Sequence, residues 1–271
     1  MGSKAVAAHY ETQALTALIV DAIKAAGLEV GDLSPDDLAP LEEFHTLGRQ
    51  ATVELAELAG VTRGWQVLDV GSGLGGPARL LASRYGVRVT ALDLTAAYCE
   101  AARMLNELTG LSELVEVRQG DALDLPFADQ SFDLVWTQHA SMNIADKERL
   151  YSEVWRVLVP GGRFAMFDIL AGDVSPIHFP VPWAADPSIS FLEPIGHLRS
   201  MLLAAGFTTL VWEDLTEGVL AWFEDRAASA RVEPTSIGLQ LLSSDMPEKL
   251  ANQVRNVREG RVRFLRAVLT R

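Results

Sequence analysis

An α/β fold built on a mostly parallel sheet is predicted by three observations. Five apolar runs have strand character, helical patterns separate most of them, and glycine-rich turns mark the junctions. The runs cover 67–70, 87–92, 115–119, 132–137 and 163–169, with helical patterns at 78–85, 96–109 and 147–158. Such alternation buries a sheet beneath helices on both faces.

Ahead of the first strand, Leu15, Leu18, Ile19, Ala22, Ile23 and Ala26 recur at helical spacing, and Gly27 stops the run. Ser34-Pro35-Asp36-Asp37 has the form of a helix start, with Ser as cap and Pro at the first position. A further helical pattern over 47–59 ends at Gly60. Pro160-Gly161-Gly162 is a turn that should close the helix over 147–158 and launch the fifth strand.

Residues 171–193 break the alternation. They are rich in Pro and Asp yet carry Phe179, Trp183 and Phe191, and an aromatic loop of this length points to function. A helix is expected over 194–205, a sixth strand over 208–215, and helical material from 217 to about 258. A last strand over 261–269 follows too directly to need a crossover helix.

Composition narrows the class. The chain has 271 residues, 49% of them hydrophobic, which is enough for a substantial core. Its formal charge of −13, from 23 basic and 36 acidic residues, argues against a nucleic-acid partner. Cys99 is the only cysteine, which excludes a disulfide framework and a thiolate metal cluster, and it reads as a small core residue. No resident metal is expected. The first apolar helix contains Asp21 and Lys24, so membrane insertion is not expected and a cytoplasmic protein is. The sequence leaves room for a homodimer.

The chemistry centres on Val67-Leu68-Asp69-Val70-Gly71-Ser72-Gly73-Leu74-Gly75-Gly76. A strand, a glycine turn and a helix, with Asp93 at the end of the next strand, form the pattern of a nucleoside-cofactor site. Gly71, Gly73 and Gly76 also satisfy the spacing of a dinucleotide fingerprint, so two cofactor classes stand open. Asp69 weighs against a pyrophosphate, because a carboxylate at the strand end suits a ligand with an ammonium group. Asp121, in Gly120-Asp121-Ala122, is placed to accept a hydrogen bond from an adenine amino group. Ser131-Phe132-Asp133-Leu134-Val135 leads on to His139 beside the same crevice.

These motifs, with Arg156-Val157-Leu158-Val159-Pro160-Gly161-Gly162, resemble the class I S-adenosylmethionine-dependent methyltransferases over about residues 45–170. The resemblance implies a Rossmann-like seven-stranded sheet, mostly parallel, whose last hairpin inserts an antiparallel strand. It also implies a helical lid over 1–46 and the main domain over 47–271. Cap or substrate insertions are expected at about 171–200 and 217–259. S-adenosylmethionine is the implied cofactor. Gly71, Gly73 and Gly75 would cradle its methionine part together with Asp69. Asp93 would hold the ribose, with Leu94 beside the adenine; Asp121 would bind the adenine amino group and Ala122 flank it. Gln138 would lie beneath the sulfonium, and Tyr10 resembles a lid tyrosine that closes over the cofactor.

The segments 44–52, 138–144 and 179–184 are similar to a narrower branch. That branch holds the glycine, sarcosine and dimethylglycine N-methyltransferases and the quinone and tocopherol C-methyltransferases. The implied partner is a small-molecule acceptor attacked in line with the methyl–sulfur bond. His139 is the candidate base; His45 and His197 are weaker candidates, and His178 lies in the long loop. Arg49 could grip a substrate carboxylate, while His45, Met142, Asn143 and Trp183 would face the acceptor. An amino-acid-like amine and a hydrophobic aromatic, quinone or isoprenoid acceptor both remain open. A dinucleotide oxidoreductase and a cofactor-binding protein without turnover are the competing classes.

Overall fold

The computed structural model describes Val6 and residues 15–42, 45–229 and 245–271. Tyr10 lies outside these described residues.

Seven strands form one sheet: β1 (Gln66–Val70), β2 (Arg88–Asp93), β3 (Val115–Gln119), β4 (Phe132–Gln138), β5 (Leu158–Ala171), β6 (Thr208–Asp214) and β7 (Val262–Thr270). Their spatial order is β3-β2-β1-β4-β5-β7-β6. The first five pair in parallel, whereas β7 runs antiparallel to both β5 and β6. The order reverses between β1 and β4, which opens a crevice at the carboxyl ends of the central strands.

The helices are α1 (Leu15–Ala25), α2 (Pro35–Glu42), α3 (Gly48–Leu58), α4 (Gly76–Tyr85), α5 (Ala96–Leu108) and α6 (Lys147–Val157). Then follow α7 (Ile195–Ala204), α8 (Thr216–Ser229) and α9 (Met246–Arg258). Side chains alternate across the strands and build two cores. Val67, Leu134, Trp136 and Phe167 pack with Leu55 of α3 and Leu81 of α4 on one face. Leu68, Val135 and Met166 pack with Leu150 and Tyr151 of α6 and Leu202 of α7 on the other.

Helices α1 and α2 bury Ile19, Ile23, Leu38 and Leu41 against Leu105 of α5 and Leu74 of the glycine turn. The N-terminal helices therefore reach the cofactor crevice through packing on that turn.

One predicted boundary shifts. Strand β5 starts at Leu158, earlier than 163, because Leu158 pairs with Phe132 before Arg163 resumes the ladder opposite Leu134. The Pro160-Gly161-Gly162 turn lies inside the strand as an irregularity, and Gly161 has φ +78°. The glycine supplies a conformation that L side chains rarely adopt.

Candidate active site

The strand ends at the switch point surround a cleft of about 350 Å³. Strand β1 delivers Asp69, β2 delivers Asp93, and β4 delivers Gln138 and His139. Leu94, Asp121, Ala122, Met142, Asn143, Trp183 and His45 also line it, so the fold brings most of the candidate residues to one place.

The glycine turn forms the floor. Gly71 and Gly73 line the cleft with φ of +75° and +55°. A Cβ on Gly71 would fall 2.5 Å from that of Ala140, so no larger residue fits between β1 and β4 there. The backbone N–H of Gly73 donates to Asp93 Oδ2 at 2.8 Å, and that of Thr95 donates to Asp93 Oδ1 at 2.8 Å. Gly75 differs from expectation. It is absent from the wall and begins α4 at φ +84°, with its α-carbon backed by Arg79; a Cβ would meet Arg79 Nη1 at 3.0 Å. Arg79 is fully buried and donates to the Leu74 carbonyl and, at 2.7 Å, to Asn106 Oδ1. It ties the glycine turn to α5, a role that its position in an otherwise apolar helical pattern did not reveal.

Asp69 is buried, and its Oδ2 has no hydrogen-bond partner among the described residues. Burial, reinforced by the negative charge of Asp93, pushes its carboxyl up to about 8. Burial also raises Asp93, opposed by the hydrogen bonds from Thr95 and Gly73. Asp121 accepts the N–H of Leu123 at 2.9 Å and faces the cleft from the loop after β3. Two acids at the strand ends and a third in that loop favour a ligand with positive charge and donor groups, and oppose a pyrophosphate.

On the β4 side, Gln138 Oε1 accepts from Thr52 Oγ1 at 3.1 Å and from Trp136 Nε1 at 2.9 Å. These two donors orient the amide, and its Nε2 is buried without a hydrogen-bond partner among the described residues. His139 adopts φ +49°, a sparsely populated region that costs a non-glycine residue about 1 kcal/mol or more. Its ring packs 4.9 Å from Phe167 and 5.9 Å from Phe264 between centroids, and Nε2 lies 3.5 Å from Thr46 Oγ1. His45 is buried behind it, 3.2 Å from Thr52 Oγ1, and burial pushes its imidazole down to about 4. Leu47 and Gly48, both at positive φ, make the tight turn from His45 and Thr46 into α3.

The far wall belongs to the turn Ser141–Asn143 and the long loop. Asn143 Nδ2 donates to the carbonyls of Trp183 at 2.8 Å and Ile189 at 2.9 Å, fixing the loop against the turn. Lys147 Nζ donates to the carbonyls of Ser141 at 2.6 Å and Ile144 at 2.7 Å; Asp168 Oδ2 accepts the Ser141 N–H at 3.1 Å. Ile169, Pro182, Phe191 and Gln253 also line the cleft; Pro182 and Phe191 lie in the long loop expected to be functional, whereas Ile169 and Gln253 had no expected site role.

Three candidates lie elsewhere. Arg49 does not line the cleft: it pairs with Asp36 at 2.8 Å and donates to the Pro35 carbonyl at 3.1 Å, across to the start of α2. His197 pairs with Glu193 at 2.7 Å on an exposed helix start, and His178 with Glu259 at 2.8 Å. Neither histidine reaches the cleft wall.

The sheet order, the inserted antiparallel strand and a glycine turn flanked by strand-end acids define a Rossmann-like fold of the methyltransferase type. Residues 68–166 match the family model described as a methyltransferase domain. That segment is a methyltransferase domain, and the relatives that the chain resembles are named as methyltransferases. The chain is similar to a glycine/sarcosine/dimethylglycine N-methyltransferase of Actinopolyspora halophila, 33% identical over 66% of this chain and 32% of the relative. A sterol 24-C-methyltransferase of Gibberella zeae is 35% identical over 62% of this chain and 47% of the relative. The chain thus spans less than half the length of either. Geranyl diphosphate C-methyltransferase of Streptomyces coelicolor shares the fold at a TM-score of 0.72 and 19% identity, covering 100% of this chain and 98% of that one.

Proposed function

We propose that the chain transfers the methyl group of S-adenosylmethionine to a small-molecule acceptor. The observation that carries this reading is Asp69, a buried carboxyl at the end of β1 with an oxygen left without a hydrogen-bond partner among the described residues. An ammonium group satisfies that oxygen and favours its ionised form, whereas a pyrophosphate would oppose that ionisation.

The residues present fit the cofactor. Gly71 and Gly73 line the floor of the cleft at positive φ, Asp69 would hold the ammonium group, and Asp93 the ribose hydroxyls. Leu94 and Ala122 would flank the adenine, Asp121 would accept its amino group, and Gln138 would face the sulfonium end. Bound there, S-adenosylmethionine supplies an electrophilic methyl group. The protein's task is to align a nucleophile with it and to exclude water. His139 would accept a proton from the acceptor at Nε2, and Met142 and Trp183 would wall the acceptor in.

Calorimetry with S-adenosylhomocysteine and NAD tests the cofactor, and a labelled-methyl screen across amines, phenols, quinones and isoprenoids tests transfer. Binding of S-adenosylhomocysteine with no response to NAD is the expected result. NAD binding alone would overturn the reading.

A further inference from the structure

Helix α9 carries a polar side chain where the rest of its inner face is already engaged. Met246, Lys249, Gln253, Asn256 and Val257 are its buried residues. Lys249 pairs with Asp245 at 3.0 Å. Asn256 accepts the His178 N–H at 2.8 Å and donates to the His178 carbonyl at 2.9 Å. Gln253 is only 3% exposed and lines the cleft, and no hydrogen bond ties its amide to another described side chain or to the described backbone. An amide bordering the cleft in this way can donate to or accept from a bound molecule.

The surroundings limit what that ligand is. The cleft that Gln253 lines is also lined by the apolar Ile169, Pro182, Trp183 and Phe191 and by His139. Among the described residues that line the cleft there is no Lys or Arg, and Arg49 is engaged with Asp36. A carboxylate or diphosphate on the acceptor would find no cation among the described lining residues, and no His, Cys, Asp and Glu group suited to a metal occurs among the described residues. We propose that Gln253 reads the acceptor, its amide hydrogen-bonding the single hydroxyl or carbonyl of an uncharged, otherwise apolar molecule. The inference rests on the methyl-transfer reading of the cleft and selects one acceptor class within it.

The test is a set of binding titrations with S-adenosylhomocysteine already bound, using naphthol, naphthalene, sarcosine and geranyl diphosphate as probes. Naphthol should bind about tenfold tighter than naphthalene, the discrimination expected of one well-placed hydrogen bond in an apolar site, and tighter than sarcosine or geranyl diphosphate. Gln253→Leu should remove the preference for naphthol over naphthalene and leave the affinity for S-adenosylhomocysteine unchanged, which also reports that the variant folds. Gln253→Asn, with its shorter amide, should lose most of the same preference. Tighter binding of sarcosine or geranyl diphosphate overturns the inference, as does an unchanged naphthol-to-naphthalene ratio in Gln253→Leu. So does failure of naphthol to bind while S-adenosylhomocysteine does. Failure of S-adenosylhomocysteine itself would instead sink the methyl-transfer reading.

Discussion

The carboxylate of Asp93 accepts the backbone N–H of Gly73 at 2.8 Å, so the end of β2 braces the glycine turn that follows β1. The ribose contact proposed for Asp93 and its bracing of the turn would therefore meet in one side chain. Asp93→Ala should weaken S-adenosylhomocysteine binding by an order of magnitude or more, since charge-assisted hydrogen bonds contribute about 1.5–3 kcal/mol each. It should also lower thermal stability. Calorimetry and a melting curve separate the two effects, and unchanged affinity would remove Asp93 from the ribose assignment.

If Asp69 holds the ammonium group as proposed, cofactor binding is a proton-linked event. Its carboxyl, pushed up to about 8, is mostly protonated at pH 7, and an arriving ammonium group favours the carboxylate. Binding should release a proton at pH 7, and affinity should rise with pH until it levels above about 8. Calorimetry in buffers of different ionisation enthalpy measures the release, which Asp69→Asn should abolish. In the unliganded fold, the raised value favours the folded state most below the ordinary carboxylate range. That advantage is lost as pH rises towards 8. The melting temperature of Asp69→Asn should accordingly gain on the parent protein as pH rises through this window.

Gly71→Ala combines two penalties: a positive φ and a Cβ 2.5 Å from that of Ala140. The left-handed conformation alone costs about 1–2 kcal/mol for an L residue. The variant should lose stability and bind S-adenosylhomocysteine weakly. Adding Ala140→Gly should recover only part of each, because it opens space without relieving the backbone. Full recovery in the double variant would show that the clash alone matters.

Arg79→Met should destabilise the fold by about 2–4 kcal/mol, because it leaves the Leu74 carbonyl and the Asn106 side chain without their buried donor. Arg79→Lys keeps the charge but lacks a fork that spans both acceptors, so an intermediate loss is expected. Urea denaturation gives the ranking. Cofactor affinity should fall with it, since the same guanidinium holds the glycine turn.

Replacing His139 by Ala should lower turnover far more than S-adenosylhomocysteine affinity, as a base acting on the acceptor requires. The left-handed backbone at this position suits Asn, so His139→Asn is the better-folded control. Equal turnover in the parent and both variants would reduce His139 to a wall residue.

Much of the fold was legible because it is written in local patterns. Strand and helix periods gave the alternation, and Asp69, Gly71, Gly73 and Asp93 fall at strand ends where chain connectivity puts them in one crevice. Arg49 shows where that stops: its chemistry suited a carboxylate, but only the placement of α2 decides that it turns to Asp36. Gly75 belongs to the glycine motif, yet its positive φ starts α4 and backs on to Arg79. Gln253 is the converse, a polar residue in an amphipathic helix whose importance depends on which neighbours Lys249 and Asn256 have taken. The inserted order of the last strands came from the family resemblance, which the short connection before β7 fits, whereas the early start of β5 depended on pairing between Leu158 and Phe132.

The place of β7 has a further consequence for how the chain reaches this state. Strand β6 touches the sheet only through β7, which is synthesised later and slots between it and β5. During translation, β6 and its exposed Leu210 must therefore wait without a neighbour until the following segment has emerged. The wall proposed to face the acceptor waits as well, because α9, with Gln253, is made just before β7. A nascent chain halted between α8 and α9 would present an assembled glycine turn but an unfinished chamber, and its β5 edge would be open to capture by a chaperone or a second chain.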